Sequence, residues 1–195
     1  FIASGASEPG EAVTSLGSTL VLKIISDKPI FAPEYGIYSQ PLGERWLVGG
    51  GSNSGGAVLR HFFSDERMAE MNRKLQPDTP TGLDYYPLLK PGERFPRNDP
   101  TLKPRLEPRP ADDVRFFQGM LEGMARIEKE GYDRLAELGA PYPVSVRSNG
   151  GGARNSAWTR IRGKLLGVPM LPAREEQACY GSALLALRCI NAAMP

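Results

Sequence analysis

The first fifty residues carry short β-rich runs at 12–15, 19–26, 36–40 and 45–48, separated by Gly, Pro and Asp27-Lys28-Pro29 punctuation. Such spacing predicts an antiparallel strand meander. Helical spacing then takes over. Residues 54–63 and 65–75 set Val58, Leu59, Phe62, Met68 and Met71 at intervals of three and four, which predicts two short helices. Across 76–110 proline is dense and no period holds, yet Tyr85, Tyr86, Leu88, Leu89 and Phe95 are too apolar for a free linker. That stretch reads as a long Pro-rich loop lying against the body of the protein.

Beyond it, Val114, Phe117, Leu121, Met124, Ile127, Leu135 and Leu138 repeat at helical spacing and predict one long amphipathic helix ending near Gly139. A buried-type strand at 144–147 precedes Gly150-Gly151-Gly152 and a helix with Trp158, Ile161 and Leu165 on one face, stopped by Gly167-Val168-Pro169. The last helix, 175–192, is apolar on most sides between Ala178 and Ile190, a pattern that predicts a helix sandwiched inside the fold. A strand meander followed by helix, strand and helix implies an α/β domain with its helices laid on the sheet.

Composition narrows the options. With 195 residues, 41% hydrophobic and 24% charged, the chain can bury one sizeable core, so 1–195 is read as a single domain. Its net charge is +2 with the basic residues scattered, which gives no electrostatic reason to expect nucleic acid or an anionic membrane as partner. The most apolar runs, 19–25 and 183–187, fall far short of the ~20 residues that span a bilayer, so a soluble protein is expected. The chain opens on Phe1-Ile2-Ala3-Ser4 without an initiating methionine, as a fragment or a processed product would. Cys179 and Cys189 lie on one expected helix, roughly 15 Å apart at ~1.5 Å per residue, too far for a disulfide. Two free thiols suit a reducing compartment, cytoplasm or plastid stroma. His61 is the lone histidine and no close Cys pair exists, so no metal site is expected; a histidine on a helix flank is the plainer reading of Arg60-His61-Phe62-Phe63 than a catalytic triad.

Three glycine-rich turns stand beside expected strands: Ser15-Leu16-Gly17-Ser18-Thr19, the stretch Gly49-Gly50-Gly51-Ser52-Asn53-Ser54-Gly55-Gly56, and Ser148-Asn149-Gly150-Gly151-Gly152. Glycine lets backbone approach a ligand, and a helix opening after such a turn offers free N–H groups to phosphate. Tight turns with no ligand are the alternative. Gly163-Lys164 is followed by Leu165 within a helix and is not a Walker A sequence. A dinucleotide fingerprint starting at Gly150 would need its third glycine where Asn155 stands.

Five segments together carry a resemblance: Thr14-Ser15-Leu16-Gly17-Ser18, Pro91-Gly92-Glu93-Arg94-Phe95-Pro96, Leu121-Glu122-Gly123, the run from Ser148-Asn149-Gly150 through Asn155-Ser156-Ala157-Trp158, and Gln177-Ala178-Cys179-Tyr180-Gly181-Ser182-Ala183. Their order and spacing resemble the C-terminal domain of FGGY carbohydrate kinases, most nearly the small cyanobacterial and plant pentulose (ribulose/xylulose-type) kinases. The resemblance implies an RNase H-like lobe of the actin-like ATPase fold, a mixed sheet flanked by helices, binding ATP in a cleft against an N-terminal lobe that this chain lacks. It implies that Gly17 and Ser18 lie near the β- and γ-phosphates and that Gly150, Gly151, Gly152, Asn155 and Trp158 form the adenosine side. Asn155 would supply an amide and Trp158 a stacking face; core packing with Ile161 and Leu165 is the other reading of Trp158. For Glu93 a structural salt bridge is expected, and for Glu122 a structural bond to backbone or arginine.

The family's general-base aspartate has no counterpart before Thr14, where only Glu8 and Glu11 are acidic, so it is expected just upstream of Phe1 and no catalytic residue is expected in this chain. The resemblance thus implies the ATP-binding lobe of an enzyme that passes the γ-phosphoryl of MgATP to a hydroxyl of a ketopentose such as ribulose or xylulose, the fragment alone being inactive. A non-catalytic nucleotide-sensing or interaction module, and an α/β domain with purely structural glycine turns, are the alternatives.

Overall fold

The structure, a computed structural model, describes the backbone of residues 1–193 and the side chains of 1–187. Strand β1 (Glu11–Leu16) turns through Gly17 into β2 (Leu20–Ser26), pairing antiparallel from Ala12↔Ile24 to Leu16↔Leu20. Strand alternation sends Ala12, Leu16, Leu22 and Ile24 into the main core on one face, and Val13 and Ile25 to a smaller cluster with Ala6 on the other. Strands β3 (Tyr38–Leu42) and β4 (Arg45–Ser52) form a second hairpin, and β4, not β3, lies beside β2. The expected meander is therefore two hairpins, with β3 on the outer edge.

Strand β4 also runs four residues further than its sequence suggests, because Gly49, Gly50 and Gly51 are strand and not turn. Close approach explains them: a Cβ on Gly49 would lie 1.9 Å from the Leu22 carbonyl oxygen, and one on Gly50 would lie 2.5 Å from the Phe95 ring. Strand β5 (Ser145–Asn149) adds parallel to β1, and the short β6 (Met170–Leu171) adds parallel to β5, giving the order β3-β4-β2-β1-β5-β6.

Helix α1 (Gly56–Phe62) and helix α2 (Asp65–Asn72) follow β4, the second capped by the Ser64 hydroxyl accepting from Arg67 N–H. Helix α3 (Asp113–Glu137) crosses the core face of the sheet, and α4 (Ser156–Leu166) packs beside it. The buried face of α4 is Trp158, Ile161, Arg162 and Leu166, with Leu165 only partly covered, so the expected face is rotated by one residue. Between α2 and α3 no helix or strand forms. Residues 76–110 are held by a bridge between Tyr86 and Arg105 and bury Tyr85, Tyr86, Leu88 and Phe95.

Glycines on α3 seat this segment: a Cβ on Gly119 would lie 2.8 Å from Leu83, one on Gly123 2.7 Å from the Tyr85 oxygen, and one on Gly131 2.7 Å from Phe95. Glu122 accepts from the N–H and hydroxyl of Thr81 and from Gln118, the backbone partnership expected of it. Glu93 differs from expectation. In place of a salt bridge, its buried carboxylate accepts from Ser52 Oγ and Asn53 N–H at 2.6 Å, Arg94 N–H at 2.8 Å and Tyr86 OH at 3.1 Å. Burial beside that carboxylate pushes the Tyr86 phenol well above its ordinary pKa.

Over its described side chains, 178–187, helix α5 (Ala178–Ala193) is not sandwiched. Leu185 is 44% and Leu187 55% exposed, and the helix meets chiefly the 3-10 turn Ile2–Ser4. An all-round apolar pattern marks a helix to be covered, and among the described residues too little lies against it to do so. Cys179 is free and exposed, whereas the Cys189 side chain lies outside the described residues. Among the described residues no helix is long and apolar enough to cross a membrane.

Candidate functional site

The turn between β1 and β2 is fixed from the side by the start of α1. Gly56 N–H donates to the Gly17 carbonyl at 2.9 Å, Ala57 N–H to the Ser18 carbonyl at 3.0 Å, and Leu20 N–H to the Ser54 carbonyl at 2.8 Å. That contact needs glycines, since a Cβ on Gly55 would lie 2.7 Å from Thr19 Cα and one on Gly56 2.8 Å from the Gly17 oxygen. With its carbonyls engaged, the turn leaves the Ser18 side chain exposed.

The second wall grows from the parallel neighbour of β1. Chain leaving β5 passes Gly150 at φ 84, a left-handed conformation suited to glycine, and a Cβ there would meet the Leu16 carbonyl oxygen at 2.8 Å. A 3-10 turn, Gly151–Arg154, then leads to Asn155, the N-cap of α4, whose Oδ1 accepts from Trp158 N–H at 3.0 Å. The Asn155 amide nitrogen donates to Asn72 Oδ1 at 2.6 Å, tying α4 to α2. Trp158 is 2% exposed and donates through Nε1 to the Leu121 carbonyl at 3.0 Å. Gly152 is what admits the indole so near β1, because its Cβ would stand 2.5 Å from Trp158 Cζ3.

Between these walls lies a cavity of about 580 Å³. Of the residues singled out by sequence, Gly17, Ser18, Gly151, Gly152, Asn155 and Trp158 line it, while Gly150 shapes the turn without reaching the cavity. Trp158 is packed in the core, as one of its two readings has it, and it also borders the cavity.

Sequence reasoning misses Arg60, Asp65, Asn72, Leu121 and Arg154, which line the cavity too. Arg60 Nε donates to Asp65 Oδ1 at 3.1 Å at an exposed rim that also holds Arg154. Two guanidinium groups beside a serine turn suit a polyanion, and the buried apolar floor of Leu16, Leu121 and Trp158 suits a flat ring. The i+4 step from Gly56 to Arg60, one helical turn past the glycine stretch, is the signal by which Arg60 could have been found.

The model of the FGGY family of carbohydrate kinases, C-terminal domain, matches residues 12–190. Gluconokinase of Bacillus subtilis (strain 168) is 26% identical over 201 residues, covering 91% of this chain and 38% of the relative. The crystal structure of a xylulose kinase from Brucella ovis aligns with 100% of this chain and 42% of its own, at 26% identity and a TM-score of 0.85. Plasmodium falciparum glycerol kinase with ADP shares the fold, with a TM-score of 0.73 over 94% of this chain and 39% of its own at 17% identity. The fold is thus the mixed, helix-flanked sheet of these kinases, an RNase H-like lobe of the actin-like ATPase class. The chain spans about two fifths of the length of the relatives it matches.

Proposed function

Because the chain belongs to the FGGY family of carbohydrate kinases as its C-terminal domain, we propose that it is the ATP-binding lobe of a sugar kinase that transfers the γ-phosphoryl of MgATP to a hydroxyl of a ketopentose such as xylulose or ribulose. The observation that carries this reading is the cavity bounded on one side by the Gly17-Ser18 turn and on the other by Gly151, Gly152, Asn155 and Trp158. In it the phosphates lie toward Gly17 and Ser18, with Arg60 and Arg154 supplying positive charge, and the adenine rests on the apolar floor. Asn155 acts through the wall it builds, since both ends of its amide are engaged within the protein. When bound through the ATP phosphates, Mg²⁺ would neutralise their charge, while the groups of this chain that would hold the phosphates are the Gly17-Ser18 turn, Arg60 and Arg154. Among the described residues, Asp65 is the one carboxylate that lines the cavity, and Arg60 holds it. The base that accepts the sugar proton is therefore assigned to residues outside this chain, as is the sugar pocket.

The likeness to a gluconokinase makes a sugar acid the competing acceptor. Calorimetry of the chain with the Mg²⁺ complex of a non-hydrolysable ATP analogue tests the binding reading, with one site expected and an absence of heat overturning it. Steady-state rates of the longer protein on xylulose, ribulose and gluconate decide the acceptor. Phosphotransfer by the purified chain alone would overturn the assignment of the base to residues beyond it.

A further inference from the structure

Beneath both walls of the cavity lies a group of polar side chains that do not line it. Glu128 of α3 and Arg162 of α4 are fully buried and doubly bonded, Nε to Oε2 at 2.6 Å and Nη2 to Oε1 at 2.7 Å. Each partner also holds one strand. Thr14 Oγ1 of β1 donates to Glu128 Oε1 at 2.6 Å, and Arg162 Nη1 donates to Ser148 Oγ of β5 at 2.8 Å. The Tyr132 hydroxyl, also on α3, shares the Thr14 hydroxyl at 2.9 Å.

Thr14 and Ser148 are register partners in the parallel β1–β5 pair. Gly17 and Ser18 lie just beyond the first, and Gly150 to Gly152 just beyond the second.

A buried ion pair is a poor device for stability alone, because desolvating two charges offsets much of their attraction and well-packed apolar residues often do as well. Register is a different matter. A one-residue slip of β1 against β5 would turn core residues outward and is barred by hydrophobicity, but a two-residue slip keeps every side chain on its own face. What a two-residue slip cannot keep is the pairing of the Thr14 and Ser148 hydroxyls with a carboxylate and a guanidinium whose own positions are set by α3 and α4. The Arg162 guanidinium also stands 6.0 Å from the Trp158 ring, one turn away on the same helix.

We propose that the Glu128–Arg162 pair is a positioning clamp: it fixes the level of the Gly17-Ser18 turn against the Gly150–Gly152 turn, and thereby the spacing between the phosphate and adenosine halves of the site. The inference rests on the nucleotide reading of the cavity. Residues of the clamp contact no nucleotide and act through the turns above them.

The test compares stability and binding on the same preparations of the chain, with the Mg²⁺ complex of a non-hydrolysable ATP analogue as probe. Thr14→Val and Ser148→Ala each remove one spoke and should weaken binding about tenfold, the equivalent of one hydrogen bond to a charged group. Thr14→Ser, which restores the hydroxyl, should recover it.

The double variant Glu128→Met/Arg162→Met replaces both charges with apolar groups, so its melting temperature should stay near the parent's while its affinity falls at least as far as that of either spoke variant. Adding Thr14→Val to it should cost little further affinity, because the spoke has lost its charged anchor and keeps only the Tyr132 hydroxyl. Spoke variants that melt lower yet bind as the parent does would overturn the clamp and leave the nucleotide reading standing. Parent chain that fails to bind the probe would overturn both. Should the double variant not fold, the Thr14→Val and Thr14→Ser comparison decides alone.

Discussion

Neighbouring glycines at 151 and 152 separate what the proposed ligand would require from what the fold requires. Among the described residues beyond its chain neighbours, no atom lies within 4 Å of a Cβ built on Gly151, whereas one on Gly152 would collide with Trp158 at 2.5 Å and Leu16 at 2.8 Å. Gly151→Ala should therefore change stability by less than about 0.5 kcal/mol, and any fall in nucleotide affinity it causes reports crowding of the ligand. Gly152→Ala should cost about 1–3 kcal/mol as an overpacked site, read by denaturant unfolding. Lys23 makes a pH-dependent prediction. Its Nζ has no hydrogen-bond partner among the described residues, sits 3.6 Å from the centre of the Tyr38 ring, and is pushed by burial from 10.5 to about 8. Below pH 8 the amine is charged in both folded and unfolded chains, so its burial weakens the fold in full. Between pH 8 and 10.5 the folded form releases its proton first, the unfolded chain binds more protons, and stability contributed by this group rises with pH. Lys23→Met should thus be more stable than the parent at pH 7, with its advantage shrinking across that range; an advantage that grows with pH would contradict the assignment.

Helix α3 owes its place to residues that a helix ordinarily avoids. Its glycines at 119, 123 and 131 each cost about 1 kcal/mol of helix propensity relative to alanine, and each lies where the loop or the sheet comes too near for a side chain. Gly123→Ala should lower stability by about 1–3 kcal/mol in spite of its better propensity, and should make residues 76–110 more sensitive to protease, because Tyr85 and Pro87 must lift from the helix. The sequence makes the helix itself plain, since seven apolar positions keep one period. It hides how the loop is seated, because nothing local links Gly123 to Tyr85. The same division runs through the site. Gly17, Ser18, Gly151, Gly152, Asn155 and Trp158, which line the cavity, are legible since each belongs to a short run of adjacent letters, while Asn72 reaches the cavity only through the packing of α2 against α4. Helix α5 misleads for a related reason: apolar periodicity says that a face should be covered but not by what.

At the scale of the molecule, a ligand joining both walls of the cavity ties β1 to β5 and α2 to α4, and should stabilise the whole unit. At a hundredfold excess over Kd the linkage is about 2.7 kcal/mol, which for a domain of this size corresponds to a rise in melting temperature of about 5–10 °C. Scanning calorimetry with and without MgATP checks it; a rise of that size with ATP and none with inorganic phosphate is the expected result. The position of β1 in the sheet carries one more consequence. Its edge toward β2 is met within a few residues by a hairpin, but its edge toward β5 is met by residues made much later: Glu11 and Arg147, which pair across that edge at 2.7 Å, are 136 residues apart. Ribosomes extend a chain by about 5–20 residues per second, so on the order of ten seconds separates the emergence of the two strands. Throughout that interval the first hairpins present an unpaired strand edge, a template on which another nascent chain can add. The pace of translation through the loop and α3 thus bears on how much protein is recovered soluble, even though no residue of the finished fold is altered.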